Sequence, residues 1–453
     1  MIQIRKRSQT KGYFTSFPYE LFVDEKFKTL FDDLVKKTKI AEKFKPRLYS
    51  YSDFVLVKLY AYLTGKSIHH AAEELNRTVT MKVESKTKKR MKRFKDNYRR
   101  RRLVPHLTDV DKFFRIREES EISIHKIFGD LLFTIFRMII KRYNPSREVY
   151  AMVDNTEIPF FGRARDNTVI GTHRKHMGTK KCHLIQGMGV EGAGMFLFTG
   201  FRLMRMHHYR SKYIPQDVAW LRFNDLDIKG ILADREFYRA TLLRNLKDDK
   251  VNFLIPVKKF NVIKAYFGRF LNGTGGLVEP YLMSHSGANG SRPTCVYMNM
   301  VIIGHNNESA FDIRDKYRNG LLTFDDALSK LSGFFTNMKP WKNVKKWALW
   351  LSSKYKSRWH EETAFSNLNR WRIPYRHFTG ERALIDHYIF AILYNLWQAF
   401  YKVRKDNGVL PRDRTQKVFS ELLAVNIEWG LTSSICARFS TTSFKKREVY
   451  FAM

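Results

Sequence analysis

Cysteine is scarce in this chain. The 453 residues contain three, Cys182, Cys295 and Cys436, and these lie far apart in the sequence. An odd number of widely spaced thiols argues against the disulfide framework that stabilises many secreted proteins. The sequence therefore favours a reducing compartment, and the cytoplasm is the expected location.

Long apolar segments are also lacking. The first residues, MIQIRKR, pass directly into polar sequence, so no secretory signal is expected there. The nearest approach to a membrane span is 383–401, which contains Asp386, His387, Asn395 and Gln398. Polar groups at this density are costly in hydrocarbon, so the sequence predicts a buried helix and no membrane partner.

Acidic residues are few relative to basic ones. Asp and Glu number 44 against 82 Lys and Arg, which gives a formal net charge of +38 at pH 7. A folded chain with this charge needs a polyanionic partner, and nucleic acid is the first choice. An anionic membrane surface and a merely solvated basic surface are the alternatives. Apolar residues still make up 44%, which is enough for packed cores.

Residues 1–145 are predicted to form a helical, basic DNA-binding region. The spacing of apolar residues from Ser52 to Tyr60 predicts a helix capped at its start, Gly65 ends it, and 67–75 begin a second helix. Two helices joined by a glycine turn are compatible with a helix-turn-helix DNA reader, although ordinary helical hairpins share this pattern.

The strongest concentration of charge lies between Lys86 and Arg102. Eleven of these seventeen residues are Lys or Arg, and Asp96 is the one acid. A solvated charged face is the plain interpretation, but like charges at this density repel one another, so contact with DNA phosphates is favoured. The residues expected to make these contacts are Lys88, Lys89, Arg90, Lys92, Arg93, Arg99, Arg100, Arg101 and Arg102.

From residue 146 onward, short apolar runs replace the helical pattern. Three strands, a helix, a strand, a second helix and a further strand are predicted over 146–257. This order predicts an α/β fold with a ribonuclease-H-like, retroviral-integrase-like catalytic core. The glycine-rich segment 258–345 is predicted to be a partly β insertion. The core then continues with a helix over 346–380, and 381–453 is predicted to be a helical C-terminal region.

Three carboxylates stand in settings suited to catalysis. Asp154 follows the first predicted strand, Asp234 follows the fourth, and Glu362 lies on the later core helix. Carboxylates are the ligands that hard divalent cations prefer, and two such cations can activate a phosphodiester. A lone aspartate at a strand end is more often a turn residue or a helix cap, so the prediction of a metal site depends on the three acids together.

The predicted helix around Glu362 carries a stripe of residues spaced in steps of three and four. Its members are Tyr355, Arg358, Glu362, Phe365 and Asn369. Such steps keep side chains on one helix face, so Glu362 is expected to reach a metal while Tyr355 and Arg358 meet a DNA phosphate. Glu361 lies off this stripe, which favours Glu362 as the metal-binding residue.

These motifs resemble those of DDE transposases of prokaryotic insertion sequences, in the group named after insertion sequence four and its archaeal-type branch. The first motif is matched by Asp154, Thr156, Ile158, Pro159, Phe160, Phe161 and Gly162, and the second by the segment from Asp234 to Tyr238. The third resembles the family's Tyr, Arg, Glu, Lys signature at Tyr355, Arg358 and Glu362, with Asn369 at the Lys position and Arg370 beside it. The resemblance covers roughly 150–400.

The resemblance implies a mechanism and partners. Asp154, Asp234 and Glu362 would bind two Mg²⁺ or Mn²⁺ ions, while Tyr355, Arg358, Asn369 and Arg370 would contact DNA. Water would cut the phosphodiester at each element end, and the freed 3′-hydroxyl would attack target DNA. The implied partners are the element's terminal inverted repeats, double-stranded target DNA and a second copy in a homodimer, in association with the nucleoid.

Two other functions fit the same residues. A structure-specific DNA endonuclease on this fold would cut without strand transfer. A domesticated DNA-binding protein would keep the fold without activity, although the presence of all three acids disfavours it. Terminal inverted repeats flanking the gene would favour the transposase over both.

Overall fold

The computed structural model describes residues 26–37, 49–86, 102–117, 121–144, 146–163, 167–172, 178–285, 293–305, 308–368, 371, 379–406 and 412–440. The chain divides into two compact units. One comprises residues 1–139, 160–162 and 367–453, and the other comprises residues 140–159 and 163–366. The finer division into five segments stays a prediction.

The first unit is helical. Its N-terminal helices are α1 (Lys26–Lys36), α2 (Tyr51–Thr64), α3 (Ile68–Lys86), α4 (Leu107–Arg117) and α5 (Glu121–Ile124), which continues through a π turn (His125–Gly129) into α6 (Asp130–Tyr143). Most of the basic run between Lys86 and Arg102, including all its predicted DNA contacts except Arg102, lies outside the described residues.

Helix α2 is the centre of this unit, because it is buried from Ser52 to Tyr62. Its cap is Ser50 rather than the predicted Ser52: Asp53 accepts a hydrogen bond from the Ser50 amide at 2.8 Å, which completes a capping box. Gly65 ends the helix as predicted, in the left-handed region with φ 67°. The function of α2 and α3 as a DNA reader stays a prediction.

The second unit is built on one mixed sheet. Its strands are β1 (Glu148–Pro159), β2 (Val169–Gly171), β3 (Lys181–Gly192), β4 (Met195–Met204), β5 (Asp227–Ala233), β6 (Phe253–Pro256), β7 (Val278–His285), β8 (Thr294–Gly304) and β9 (Leu331–Thr336). The order across the sheet is β2-β3-β1-β5-β6-β9-β8-β7, and β4 also pairs with β3.

The first part of the sheet has the predicted order of elements. β1, β3 and β4 are antiparallel neighbours, whereas β1, β5 and β6 run parallel. Helix α7 (Ile214–Phe223) joins β4 to β5, and α8 (Ala240–Asp248) joins β5 to β6. The short strand β2 is an addition that the sequence pattern did not indicate. Ala193 (φ 51°) and Gly194 (φ 72°) form the two-residue turn of the predicted β3–β4 hairpin.

The segment predicted to be an insertion contains α9 (Asn261–Asn272), β7, β8, α10 (Ala310–Arg318), α11 (Phe324–Lys330) and β9. Its strands extend the same sheet: β9 pairs antiparallel with β6, β8 with β9, and β7 with β8. Thr323 and Asp326 form a capping box that starts α11. The strand content agrees with a partly β segment, while its boundaries stay a prediction.

Two helices follow the sheet where the sequence pattern predicted one. They are α12 (Val344–Lys356) and α13 (Trp359–Leu368). Between them the Ser357 hydroxyl donates to the Lys354 carbonyl at 2.7 Å, and the Arg358 amide donates to the Tyr355 carbonyl at 3.0 Å. These i to i−3 bonds tighten the chain and compete with the i to i−4 bonds of an α-helix, so the helix is interrupted at Ser357 and Arg358. The prediction that Tyr355 to Asn369 form one stripe on a continuous helix is therefore wrong.

The C-terminal helices α14 (Gly380–Asp406) and α15 (Arg412–Ser440) belong to the first unit. Lys58 of α2 and Asp386 of α14 form a fully buried ion pair, and the Tyr62 hydroxyl donates to Asp386 at 2.7 Å. Asp386 therefore serves the packing of α14 against α2. Among the described helices, none is long and apolar enough to cross a membrane.

Candidate active site

Asp154 and Asp234 occupy equivalent positions on two neighbouring parallel strands. Val153 of β1 pairs with Ala233 of β5, and this is the last pair between the two strands. Asp234 is the first residue after β5, as predicted, and it caps a 3₁₀ turn by accepting from the Arg235 amide at 2.6 Å.

Asp154, by contrast, lies within β1 rather than at its end. β1 stays paired with β3 as far as Pro159, because the antiparallel ladder on that side continues after β5 has stopped. The prediction of a strand that ends at Asp154 is therefore wrong. The aspartate lies where β1 loses its parallel neighbour on one side, which leaves room beside it for other elements.

Helix α13 approaches this region over a glycine. Gly187 of β3 is the strand partner of Asp154, and a Cβ at Gly187 would lie 2.6 Å from Phe365 Cζ. The Phe365 ring also packs edge-on against Phe198, with centroids 5.2 Å apart. The missing side chain at Gly187 thus allows α13 to pack closely against β3, opposite Asp154.

The Arg358 guanidinium lies close to three carboxylates of the site. Its Nη1 lies 3.7 Å from Asp154 Oδ2 and 4.0 Å from Glu361 Oε2, and its Nη2 is bonded to Glu362 Oε1. The Arg358 side chain is 11% exposed. Burial opposes its charge, but Tyr355, Glu362, Glu361 and Asp154 together raise the pKa of Arg358.

The carboxylates act on one another electrically. Burial raises the pKa of Asp154, and the negative charges of Asp234 and Glu362 raise it further, against the Asn155 amide and Arg358, which lower it. The three predicted acids are therefore brought into one electrostatic cluster. Like charges that interact in this way disfavour ionisation unless cations are nearby.

Glu361 belongs to the same cluster, although it lies off the predicted stripe. Its side chain is 0% exposed, and neither carboxylate oxygen has a hydrogen-bond partner within the described part of the chain. Burial, followed by the charge of Asp154, raises the pKa of Glu361 well above its ordinary value. The turn at Ser357 and Arg358 breaks the periodicity counted from Tyr355, so spacing could not have indicated this residue.

Glu362 has a more open setting than its neighbour. Its side chain is 41% exposed and is held by Arg358 four residues earlier. Tyr355 is half-buried against Phe334, with ring centroids 4.9 Å apart, and burial raises the pKa of Tyr355. Tyr355, Arg358 and Glu362 are thus brought together as predicted, although they come from two helices and the turn between them.

Asp154, Asp234 and Glu362 could hold a divalent cation after a local rearrangement. Among the described residues, the one set of three ligand atoms within 4.8 Å of one another involves other side chains, so these acids are more widely spaced. Asn369 and Arg370 lie outside the described residues. Arg102 donates to Glu73 Oε1 at 2.6 Å, so a DNA contact by Arg102 would compete with an existing ion pair.

The comparison with protein families identifies the domain that contains these residues. The model of the transposase DDE domain matches residues 147–396, a range that extends from β1 into α14 and contains all three acids. The chain belongs to this transposase family. Members of the family generally use a divalent metal, which agrees with the carboxylate cluster of this transposase domain.

The other comparisons add little detail. No curated protein sequence matches this transposase. A solved structure, the cryo-EM synaptic complex of the piggyBac transposase with hairpin DNA, is similar with a TM-score of 0.46 and 13% sequence identity. The similarity covers 95% of this chain and 82% of that chain.

Proposed function

We propose that this transposase cleaves DNA at the ends of an insertion sequence and transfers the freed strand into target DNA by DDE chemistry. The observation that carries the proposal is the convergence of Asp154, Asp234 and Glu362, from β1, the end of β5 and α13, with Arg358 facing Asp154 and Glu362. No such cluster of charges is needed for packing, because buried carboxylates are costly unless they are compensated.

The core is proposed to be ribonuclease-H-like. The order β4-β3-β1-β5-β6 supports this assignment. In it β3 is antiparallel to both β4 and β1, whereas β1, β5 and β6 are parallel. Membership of the insertion-sequence-four-like group and its archaeal-type branch is proposed from the motifs at Asp154, Asp234 and Tyr355 to Glu362.

The carboxylates fit Mg²⁺ or Mn²⁺. Three acids, Asp154, Glu361 and Glu362, face one guanidinium, and both oxygens of the buried Glu361 lack a hydrogen-bond donor among the described residues. Asp154, Asp234 and Glu362 would hold two ions, and Glu361 is proposed to reinforce their negative field. When bound, such ions lower the pKa of coordinated water and stabilise charge on the phosphodiester oxygens.

Arg358 is proposed to hold the phosphate of the DNA end. Its planar guanidinium can bind two oxygens of a phosphate, and in the DNA-free protein those donors are directed at carboxylates. Tyr355 lies beside it and would contribute a hydroxyl. Trp359 follows Arg358 and is 72% exposed, so its ring is available to stack on a base near the cut.

Further DNA contacts are proposed outside this cluster. The basic run would bind phosphates along the duplex, and Asn369 and Arg370 would extend the contact from Arg358. The terminal inverted repeats, the target DNA, a homodimer that bridges two ends and association with the nucleoid are proposed from the family resemblance.

The test is strand cleavage and joining with DNA that carries the gene's own flanking sequences, in Mg²⁺ or Mn²⁺. We expect wild type to cut at the element boundary and to form joined products. Asp154→Asn and Glu362→Gln should each lose roughly 10²-fold or more of both activities. Glu421→Gln, at an exposed position on α15, is the matched control and should retain them.

The outcomes separate the alternatives. Cleavage without joined products would favour a structure-specific endonuclease on the same fold. Tight binding without cleavage by wild type would favour a DNA-binding protein that has lost activity. Undiminished cleavage by Glu362→Gln would remove Glu362 from the site.

A further inference from the structure

A second cluster of metal-ligand side chains lies in the helical unit, apart from the carboxylates of the transposase domain. His69 and Glu73 are four residues apart on α3, and His106 immediately precedes α4. One ligand atom from each residue lies within 4.8 Å of the other two. The rings of His69 and His106 are edge to face, with centroids 6.0 Å apart.

The segment that carries His106 is fixed to α3 by other contacts. Asn76 Oδ1 accepts from the Leu103 amide at 2.8 Å and from the Val104 amide at 3.2 Å. Val104 is fully buried. The three side chains are therefore held together by the fold itself, and a ligand would not have to assemble them.

The His106 ring is oriented in the way of a metal ligand. Its Nδ1 lies 3.0 Å from Thr108 Oγ1, and its Nε2 lies 3.9 Å from Glu73 Oε1. The Thr108 amide also donates to Nδ1 at 3.4 Å, so a metal at Nε2 requires the other tautomer, in which Nδ1 carries the proton and donates to the Thr108 hydroxyl while Nε2 presents its lone pair towards Glu73. Ligating histidines commonly have one ring nitrogen fixed in this manner by a neighbouring oxygen.

We propose that His69, Glu73 and His106 bind a divalent transition-metal ion of the Zn²⁺ class. Two imidazoles and one carboxylate suit such an ion, whereas Mg²⁺ prefers a set made of oxygens alone. Three protein ligands leave one tetrahedral position for water, which the exposure of His69 and Glu73 allows. Arg102 donates to Glu73 Oε1, and the same oxygen lies 3.9 Å from His106 Nε2, so a metal at Oε1 would share it with Arg102.

The position of the site gives it a role in this protein. Helix α3 ends at Lys86, and the basic run that begins there returns to the described fold at Arg102, beside Glu73. A metal at Glu73 and His106 joins α3 to the chain that leaves the basic run. Its occupancy therefore strengthens the attachment of that run at its C-terminal end.

The test is Zn²⁺ binding by the full-length chain carrying Asp154→Asn and Glu362→Gln, so that the transposase carboxylates do not contribute. Titration is done in excess Mg²⁺ and followed by calorimetry, with Co²⁺ absorption as a second readout. We expect one Zn²⁺ per chain and a raised midpoint of thermal unfolding. His69→Ala and His106→Ala should each weaken binding by roughly 100-fold or more, because the loss of a ligand costs more than the loss of a residue that only orients a ligand.

The matched control is His70→Ala, because His70 is the exposed neighbour of His69, its Nδ1 contacts Ser67 and it is not one of the three clustered ligands, although its ring lies 5.6 Å from that of His69. It should bind Zn²⁺ as its parent does. Circular dichroism establishes that each variant is folded. Absence of Zn²⁺ binding by the parent, or equal binding by His69→Ala and His106→Ala, would overturn the proposal. Neither result bears on DNA cleavage, which depends on the other cluster.

Discussion

At the scale of single residues, the arrangement around Arg358 explains why so much negative charge can be tolerated. One guanidinium faces Asp154, Glu361 and Glu362, and only Glu362 is well exposed to water. The buried Glu361 lacks a hydrogen-bond donor among the described residues, so in the metal-free protein its ionised form is unfavourable. Repulsion between the carboxylates therefore destabilises the metal-free cluster, and a bound cation would reduce it.

A comparison of the two neighbouring glutamates tests this view. Glu361→Gln should raise the free energy of unfolding of the metal-free protein at pH 7 by about 1 kcal/mol, because the raised pKa of the buried carboxyl group destabilises the folded state above the ordinary pKa of glutamate. It should also weaken Mn²⁺ binding. Glu362→Gln should leave the metal-free stability nearly unchanged, since its side chain is partly exposed. Denaturant unfolding with and without Mn²⁺ measures both effects, and a destabilised Glu361→Gln would contradict the account.

At the scale of secondary-structure elements, the site depends on how closely α13 packs against β3. Gly187→Ala would place a methyl group 2.6 Å from Phe365 and 2.9 Å from Phe201, so α13 must move away from Asp154. We expect a loss of about 1–3 kcal/mol in stability and a larger proportional loss of cleavage. Thermal unfolding and the cleavage assay give the two values.

The control for this change is Gly200→Ala on β4, where no atom lies within 4 Å of the added Cβ. It should be nearly neutral in both assays. Phe365→Leu in the Gly187→Ala background should recover part of the lost cleavage, because a smaller side chain makes room for the methyl group. A Gly187→Ala protein with full activity would show that this contact does not position α13.

The sequence predicted the elements well where the signal was local. Apolar runs and the turn at Ala193 and Gly194 indicated the strands, and their order followed. The length of β1 beyond Asp154 was not predictable, because it depends on β3, which is distant in sequence. The break at Ser357 was also missed, since a serine hydroxyl that bonds three residues back leaves no trace in apolar spacing. For the same reason, the sequence pattern did not indicate that Glu361 belongs to the site.

At the scale of the whole molecule, a buried ion pair joins parts of the chain that are far apart in sequence. Asp386→Ala removes the carboxylate that pairs with Lys58, whose ammonium also lies 4.2 Å from the centroid of Phe114. We expect a loss of about 3–5 kcal/mol, because an uncompensated buried charge remains. Lys58→Met with Asp386→Leu should recover most of it. Chemical denaturation of the three proteins checks this, and additive losses would argue against coupling.

The net charge makes a separate prediction about DNA binding. The logarithm of the binding constant should fall linearly with the logarithm of salt concentration, because bound phosphates release counterions. Changing Lys88, Lys89 and Arg90 to Gln should reduce the slope by roughly 0.9 for each lost phosphate contact. Fluorescence anisotropy with a duplex of unrelated sequence measures it. The control is a variant in which Lys264, Lys339 and Lys342 are changed to Gln, because it loses the same net charge. It should retain the wild-type slope if the basic run makes the contacts.

The extension of the sheet by β7, β8 and β9 has a consequence for how this chain can change. β9 is hydrogen-bonded to β6, so the segment that interrupts the core in sequence also covers the edge of the core in space. Removing it would expose the backbone groups of β6, and open strand edges promote association between chains. The segment therefore cannot be deleted or replaced unless another strand pairs with β6. Shortened relatives would be expected to keep a strand there or to pair through it.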